Sequence, residues 1–119
     1  MRGISRDFAE AFARDWVDAW NRHDIEAVLS HYADDFTMSS PYIAQIAGVE
    51  SGSLTGKAAV RAYWSVALEK YPSLRFEPVQ TLVGADSLTI YYRGVRGMAA
   101  EVFFFGHDQR VVRAAAHYE

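Results

Sequence analysis

Phe8, Phe12, Trp16 and Trp20 recur every four residues, with Ala9, Ala13 and Val17 beside them. An apolar stripe at helical period predicts a first helix. Ser5 is placed to cap it, and Asp7 and Glu10 fall in its acidic first turns. Asn21-Arg22-His23 breaks the stripe. Asp24 then caps a predicted short second helix with Ile25, Val28, Leu29 and Tyr32 as its apolar face, ended by Ala33-Asp34-Asp35. Phe36–Ser40 reads as a strand closed by Pro41. Residues 42–56 are rich in Gly and Ser and hold one weak strand candidate, Tyr42–Ile46. A third helix is predicted over Lys57–Tyr71, with Val60, Tyr63, Trp64, Ala67 and Leu68 as its stripe and Pro72 as its stop.

After Pro72 the period changes from helical to alternating. Strands are predicted at Arg75–Val83, Ser87–Arg93, Met98–Phe105 and Arg110–Tyr118. Their connectors are short and rich in turn residues, which predicts an antiparallel meander. Helices first and strands later give an α+β fold, with three helices from the N-terminal half packed in a strongly curved mixed or antiparallel sheet. The length of 119 residues predicts one domain over 1–119, large enough to hold its own core.

Composition narrows the function classes. The chain has no cysteine, which excludes disulfides, thiol nucleophiles and thiolate metal sites and fits a cytoplasmic protein. The net charge is −3 and the ten Arg and two Lys are scattered, so no nucleic-acid face is expected. No apolar stretch is long enough to span a bilayer, and the charged start does not read as a signal peptide. His31 with Asp34 and Asp35 has no second ligand cluster at matching spacing, so no metal or cofactor site is expected. The unusual feature is the 17 aromatic residues, which a core, a pocket or an interface can use.

Three segments carry a family resemblance. They are Asp24-Ile25-Glu26-Ala27, Tyr32-Ala33-Asp34-Asp35-Phe36-Thr37 followed by Ser40-Pro41, and Leu54-Thr55-Gly56-Lys57-Ala58-Ala59-Val60-Arg61-Ala62-Tyr63-Trp64. In this order they resemble the SnoaL-like branch of the nuclear transport factor 2-like superfamily. The resemblance implies a cone, in which a curved sheet wraps the first helix and leaves an apolar pocket. It does not choose among isomerases, cyclases, dehydratases, hydrolases and non-catalytic modules built on that fold.

Ketosteroid isomerase, within that superfamily, removes a proton beside a carbonyl with an Asp base and holds the enolate with a Tyr and a protonated Asp. Its Asp-Pro dipeptide corresponds to Ser40-Pro41, and serine has no useful basicity alone. Its helix-one Tyr corresponds to Trp16, whose indole only donates, and its helix-three Tyr to Trp64. Tyr32 is retained. The protonated Asp corresponds to Glu101.

Glu101 also stands out by itself, as the lone charge in the run Met98–Phe105, on one strand face with Ala99, Phe103 and Phe105. Simple alternation brings Ala115 or His117 opposite it. Glu101 and His117 then form an acid/base or ligand-anchoring pair at the pocket floor, with Tyr32 beside them. The alternative is a hydrogen-bonded pair at an open end of the cone or in a dimer contact. Trp16, Met38, Ser40, Tyr42, Trp64 and Phe103 are the expected ligand-binding residues, with Tyr92 a further candidate, whereas Phe8, Phe12, Trp20 and Phe36 read as core.

By the same alternation Thr89, Tyr91, Val102, Phe104, Val112, Ala114, Ala116 and Tyr118 form an apolar outer face, which predicts a sheet-to-sheet homodimer. The expected partner is a small, largely apolar carbonyl or polycyclic ligand. Acid-base chemistry of the isomerase, cyclase or dehydratase type remains open beside a non-catalytic binding or dimerisation module. A cavity under the roughly 300 Å³ typical of ligand sites would argue against both pocket readings, and two large Trp side chains are enough to fill one, which would leave mainly a dimerisation scaffold.

Overall fold

The computed structural model describes residues 3–119. The helix α1 spans Arg6–Asn21, with the Ser5 hydroxyl accepting from the Phe8 amide. Its predicted stripe is its buried face, including Phe12, Trp16 and Trp20. The helix α2 is a single turn, Ile25–Leu29, capped by Asp24 through the Ala27 amide. After strand β1 (Tyr32–Ser39) come a short π-helix (Ile43–Ala47), β2 (Ser53–Thr55) and α3 (Lys57–Lys70). The meander follows as β3 (Glu77–Val83), β4 (Ser87–Gly94), β5 (Gly97–Phe105) and β6 (Val111–Tyr118).

Among the described residues the strands form one sheet in the order β2-β1-β6-β5-β4-β3. All neighbours are antiparallel except β1 and β6, so the sheet is mixed. The helix α1 lies on its inner face. Phe12 meets Phe103 and Phe105 edge-on at 4.9 and 5.2 Å, and Trp16 meets Tyr92 and Phe103 at 5.4 and 5.3 Å. Offset and edge-on ring pairs of this kind add to the stabilisation from area burial alone.

Several predicted boundaries shift. Tyr32 belongs to β1 rather than to the second helix. Its spacing of four from Val28 and from Phe36 imitates a helix, but the pairing with β6 slips between Tyr32 and Thr37. Exposed Asp34 and Asp35 occupy that irregularity, so Tyr32 and Phe36 both reach the core. The candidate strand Tyr42–Ile46 is instead the π-helix. The Ser40 carbonyl accepts from the Ile43 amide at 3.0 Å and the Ser40 hydroxyl from the Tyr42 amide at 3.1 Å, which turns the chain just after β1. Pro41 suits the start of such a turn because no partner is needed for its nitrogen, and Gly48 ends it at φ 72°. The strand β2, hidden in the Gly- and Ser-rich stretch, pairs with β1 from Thr37 to Ser39.

The largest correction concerns β6. Phe105 pairs with Val111 but Phe104 pairs with Arg113, so Val112 is an extra residue. A bulge of one residue exchanges the two faces of everything beyond it. Ala114 and Ala116 are therefore buried on the inner face, Tyr118 turns inward with them, and Arg113, Ala115 and His117 face outward.

Candidate functional site

One cavity opens between the C-terminal half of α1, the C-terminal half of α3, the π-helix and the inner face of β4–β6. Its volume is about 100 Å³. Trp16, Trp20, Trp64 and Phe76 occupy much of the space the cone encloses, and Trp20 packs edge-on against Trp64 at 4.9 Å. The volume is well under the roughly 300 Å³ expected of a ligand site, which counts against both pocket readings for a whole drug-sized ligand and against a polycycle in particular. It is smaller than the roughly 150 Å³ of a cavity that takes benzene, so a larger ligand can place only part of itself inside.

Glu101 lines the cavity and is 4% exposed. Burial penalises the ionised form and pushes its carboxyl up to about 8, against a small opposing effect of the Tyr92 hydroxyl. That hydroxyl points at Glu101 Oε1 from 3.5 Å, the outer limit of a hydrogen bond. The phenols of Tyr32, Tyr63, Tyr92 and Tyr118 are all raised, first by burial and further by the negative charge Glu101 would carry. Near neutral pH the five groups are therefore mostly protonated together, and each can donate a hydrogen bond.

His117 is not part of this site. Ala116 stands opposite Glu101, and His117 pairs with Ala100 on the exposed outer face, because the bulge at Val112 reverses the alternation. The expected Glu101–His117 pair does not form. Trp16 lines the cavity with its ring, but its Nε1–H donates to the Tyr32 hydroxyl at 3.0 Å. Tyr32 is fully buried behind Trp16 and is not among the lining residues, so its contact with the cavity runs through Trp16. Phe103 is likewise core, held between Phe12 and Trp16.

Met38, Tyr42 and Trp64 line the cavity as expected. Ser40 is buried just behind it, where its hydroxyl lowers the phenols of Tyr63 and Tyr118 against the larger effect of burial. Sequence reasoning assigned Trp20 to the core and Tyr118 to the outer face, and both line the cavity. So do Tyr63 on α3 and Phe76, which leads into β3. The helical stripe of α3 already contained Tyr63. Tyr118 was hidden by the bulge. Trp20 Nε1 is buried without a hydrogen-bond acceptor among the described residues.

The mouth of the cavity is built from three elements. The Tyr42 ring lies between the Tyr118 ring, with centroids 4.3 Å apart, and the Arg96 guanidinium, 5.0 Å from its centroid. Glu119 Oε1 accepts from the Met98 amide at 2.8 Å and fixes the turn between β4 and β5. Gly97 at φ 131° lies under that carboxylate, where a Cβ would come within 2.9 Å of Oε1.

A family model for the SnoaL-like domain matches residues 13–119. The chain belongs to the SnoaL-like family. Its fold is that of the nuclear transport factor 2-like superfamily. A SnoaL-like protein of unknown function from Burkholderia thailandensis is 58% identical, with 98% of each chain covered and a TM-score of 0.95. A putative polyketide cyclase from Sinorhizobium meliloti is 20% identical over 90% of this SnoaL-like chain and 94% of its own, with a TM-score of 0.70. An epoxide hydrolase/cyclase-like enzyme of pyran ring formation in salinomycin is 15% identical over 97% and 93%, with a TM-score of 0.74. Those last two likenesses are of fold alone. No curated protein matches the chain.

Proposed function

We propose that this SnoaL-like protein, acting as one domain, binds a small, compact, largely apolar molecule through an oxygen acceptor such as a carbonyl, and that Glu101 serves it as a buried acid. The observation that carries this reading is a single deep carboxyl on a cavity wall lined mainly by aromatic and aliphatic side chains. A carboxyl that stays neutral near pH 7 donates a hydrogen bond to an acceptor and can pass on its proton. Water exclusion by the surrounding rings strengthens that hydrogen bond. In this reading Trp16, Met38, Tyr42 and Trp64 hold the ligand, Ser40 orients the phenols of Tyr63 and Tyr118, and Tyr32 is a positioning residue for Trp16.

The putative polyketide cyclase and the hydrolase/cyclase-like enzyme of pyran ring formation, which share this fold, favour chemistry on oxygen-bearing organic molecules. A non-catalytic binding module is the second reading. It is favoured by the absence, among the described residues deep in the cavity, of a second group that exchanges protons near neutral pH, since His117 lies outside and the phenols are raised.

Tryptophan fluorescence titrated with small cyclic and linear ketones tests the reading, because three indoles line the cavity. Saturable quenching that survives in Glu101→Gln and is lost in Glu101→Leu supports a hydrogen-bonding role. Turnover lost in Glu101→Gln supports the acid. No response from any ketone overturns the pocket reading.

The outer sheet face is proposed as the contact with a second copy. Corrected for the bulge, it still presents Tyr91, Ala100, Val102, Phe104, Val112 and Ala115, with Tyr91 and Val112 at 40% and 42% exposure. Arg113 stacks on Phe104 at 4.2 Å and makes the face less apolar than the sequence suggested.

A further inference from the structure

The rim of the cavity carries positive charge that the proposed function leaves unused. Arg96, in the turn between β4 and β5, lines the cavity and lies over the Tyr42 ring at 5.0 Å. Lys70, in the last turn of α3, lies 5.9 Å over the ring of Tyr71, which also lines the cavity. Arg96 is thus held over the mouth residue Tyr42, and Lys70 over the lining residue Tyr71. Lys70 also suits the C-terminal end of its helix.

Neither takes part in the ion pairs of the described residues, which join Arg22 to Asp18 and Asp24, Lys57 to Asp34, and Arg61 to Glu26. Glu119 is the acidic side chain at the rim, and its Oε1 is engaged by the Met98 amide. Glu101, the carboxyl inside, is mostly neutral near pH 7. The rim therefore holds one cation, Arg96, outside the ion pairs of the described residues and near the Glu119 carboxylate, with Lys70 beside the lining Tyr71, above an interior of aromatic and aliphatic side chains and the Glu101 carboxyl.

We propose that the ligand carries an anionic group, a carboxylate, which stays at the mouth beside Arg96 and within the field of Lys70 while its apolar, acceptor-bearing end enters toward Glu101. The inference rests on the pocket reading above and adds the ligand's charge. The planar guanidinium fits a carboxylate in two-point fashion, and partial shielding by the Tyr42 ring makes such a contact less screened than on open surface. A ligand whose charged end remains outside also reconciles the cavity of about 100 Å³ with a molecule longer than the cavity itself.

The test compares 4-oxopentanoate with its methyl ester by fluorescence titration of the full chain. These probes share the ketone and the apolar body and differ in charge. The expected result at low salt is that the acid binds about tenfold tighter than the ester, a modest gain for one partly exposed charge-assisted contact. Arg96→Ala should abolish the preference, Arg96→Lys should restore part of it, and Lys70→Ala should reduce it. About 0.5 M NaCl should reduce it in the wild type by screening. Arg96→Ala should weaken acid binding by a larger factor than ester binding. Equal binding of acid and ester overturns the proposal and leaves the pocket reading standing. A preference for the acid that persists in Arg96→Ala also overturns it. Failure of both probes to bind overturns the proposal and counts against the pocket reading with it.

Discussion

Trp16 Nε1–H donates to the Tyr32 hydroxyl at 3.0 Å, in a contact sealed from solvent between α1 and the start of β1. The bond uses the polar atom that Trp16 would otherwise offer to a ligand and fixes the orientation of its indole. Tyr32→Phe leaves the indole N–H buried without an acceptor, which costs about 1–3 kcal/mol. Urea denaturation should show that loss, while ketone affinity should change little because Tyr32 does not itself line the cavity. A large loss of affinity with unchanged stability would mean that Tyr32 meets the ligand directly.

The raised carboxyl of Glu101 makes stability depend on pH. Its pKa rises from 4.5 to about 8 in the folded chain, so the folded state retains a proton that the unfolded chain releases. Its favourable contribution is complete below about pH 4.5 and is lost as pH rises through about 8. Glu101→Gln removes this dependence. The variant should be more stable than the wild type at pH 7 by roughly 3 kcal/mol, with the gap widening toward pH 8 and closing near pH 5. Thermal unfolding across that range checks it, and a gap independent of pH would contradict an acid held neutral by burial.

The same ionisation should control the ligand. Below about pH 8 Glu101 donates to an acceptor, and above it a buried carboxylate repels the acceptor's lone pairs. Affinity for a neutral ketone should fall by about tenfold per pH unit above that midpoint if the ligand binds only the neutral form. Glu101→Gln should bind independently of pH over the same range. A wild-type affinity that stays flat from pH 6 to pH 10 would remove Glu101 from ligand contact.

On the outer face, Val102 stands between Thr89 and Ala115 near the middle of the sheet. Burying a charge there without a partner is costly. Val102→Asp should convert a dimer to a monomer in sedimentation velocity with the fold retained by circular dichroism. Tyr91→Ser should weaken the dimer without preventing it. A wild-type chain that sediments as a monomer at high concentration would discard the sheet-to-sheet contact.

The periodicities of this chain determined its main elements. The four-residue rhythm of Phe8, Phe12, Trp16 and Trp20 and the alternation after Pro72 place α1 and the meander close to where they form, because burial of one stripe or one face is a local property of spacing. Glu101 was recognisable as an unusual carboxyl for the same reason: its alternate neighbours on β5 are apolar.

What surrounds Glu101 was decided by the tertiary structure. A single extra residue, Val112, turned Tyr118 into the cavity and His117 out of it, and no local pattern announces which residue a bulge leaves unpaired. The irregular pairing of β1 with β6 likewise depends on strands far apart in sequence. The size of the cavity depends on how three indoles and Phe76 pack against one another. Volume is set by packing across elements, and the residue types along any one of them do not determine it.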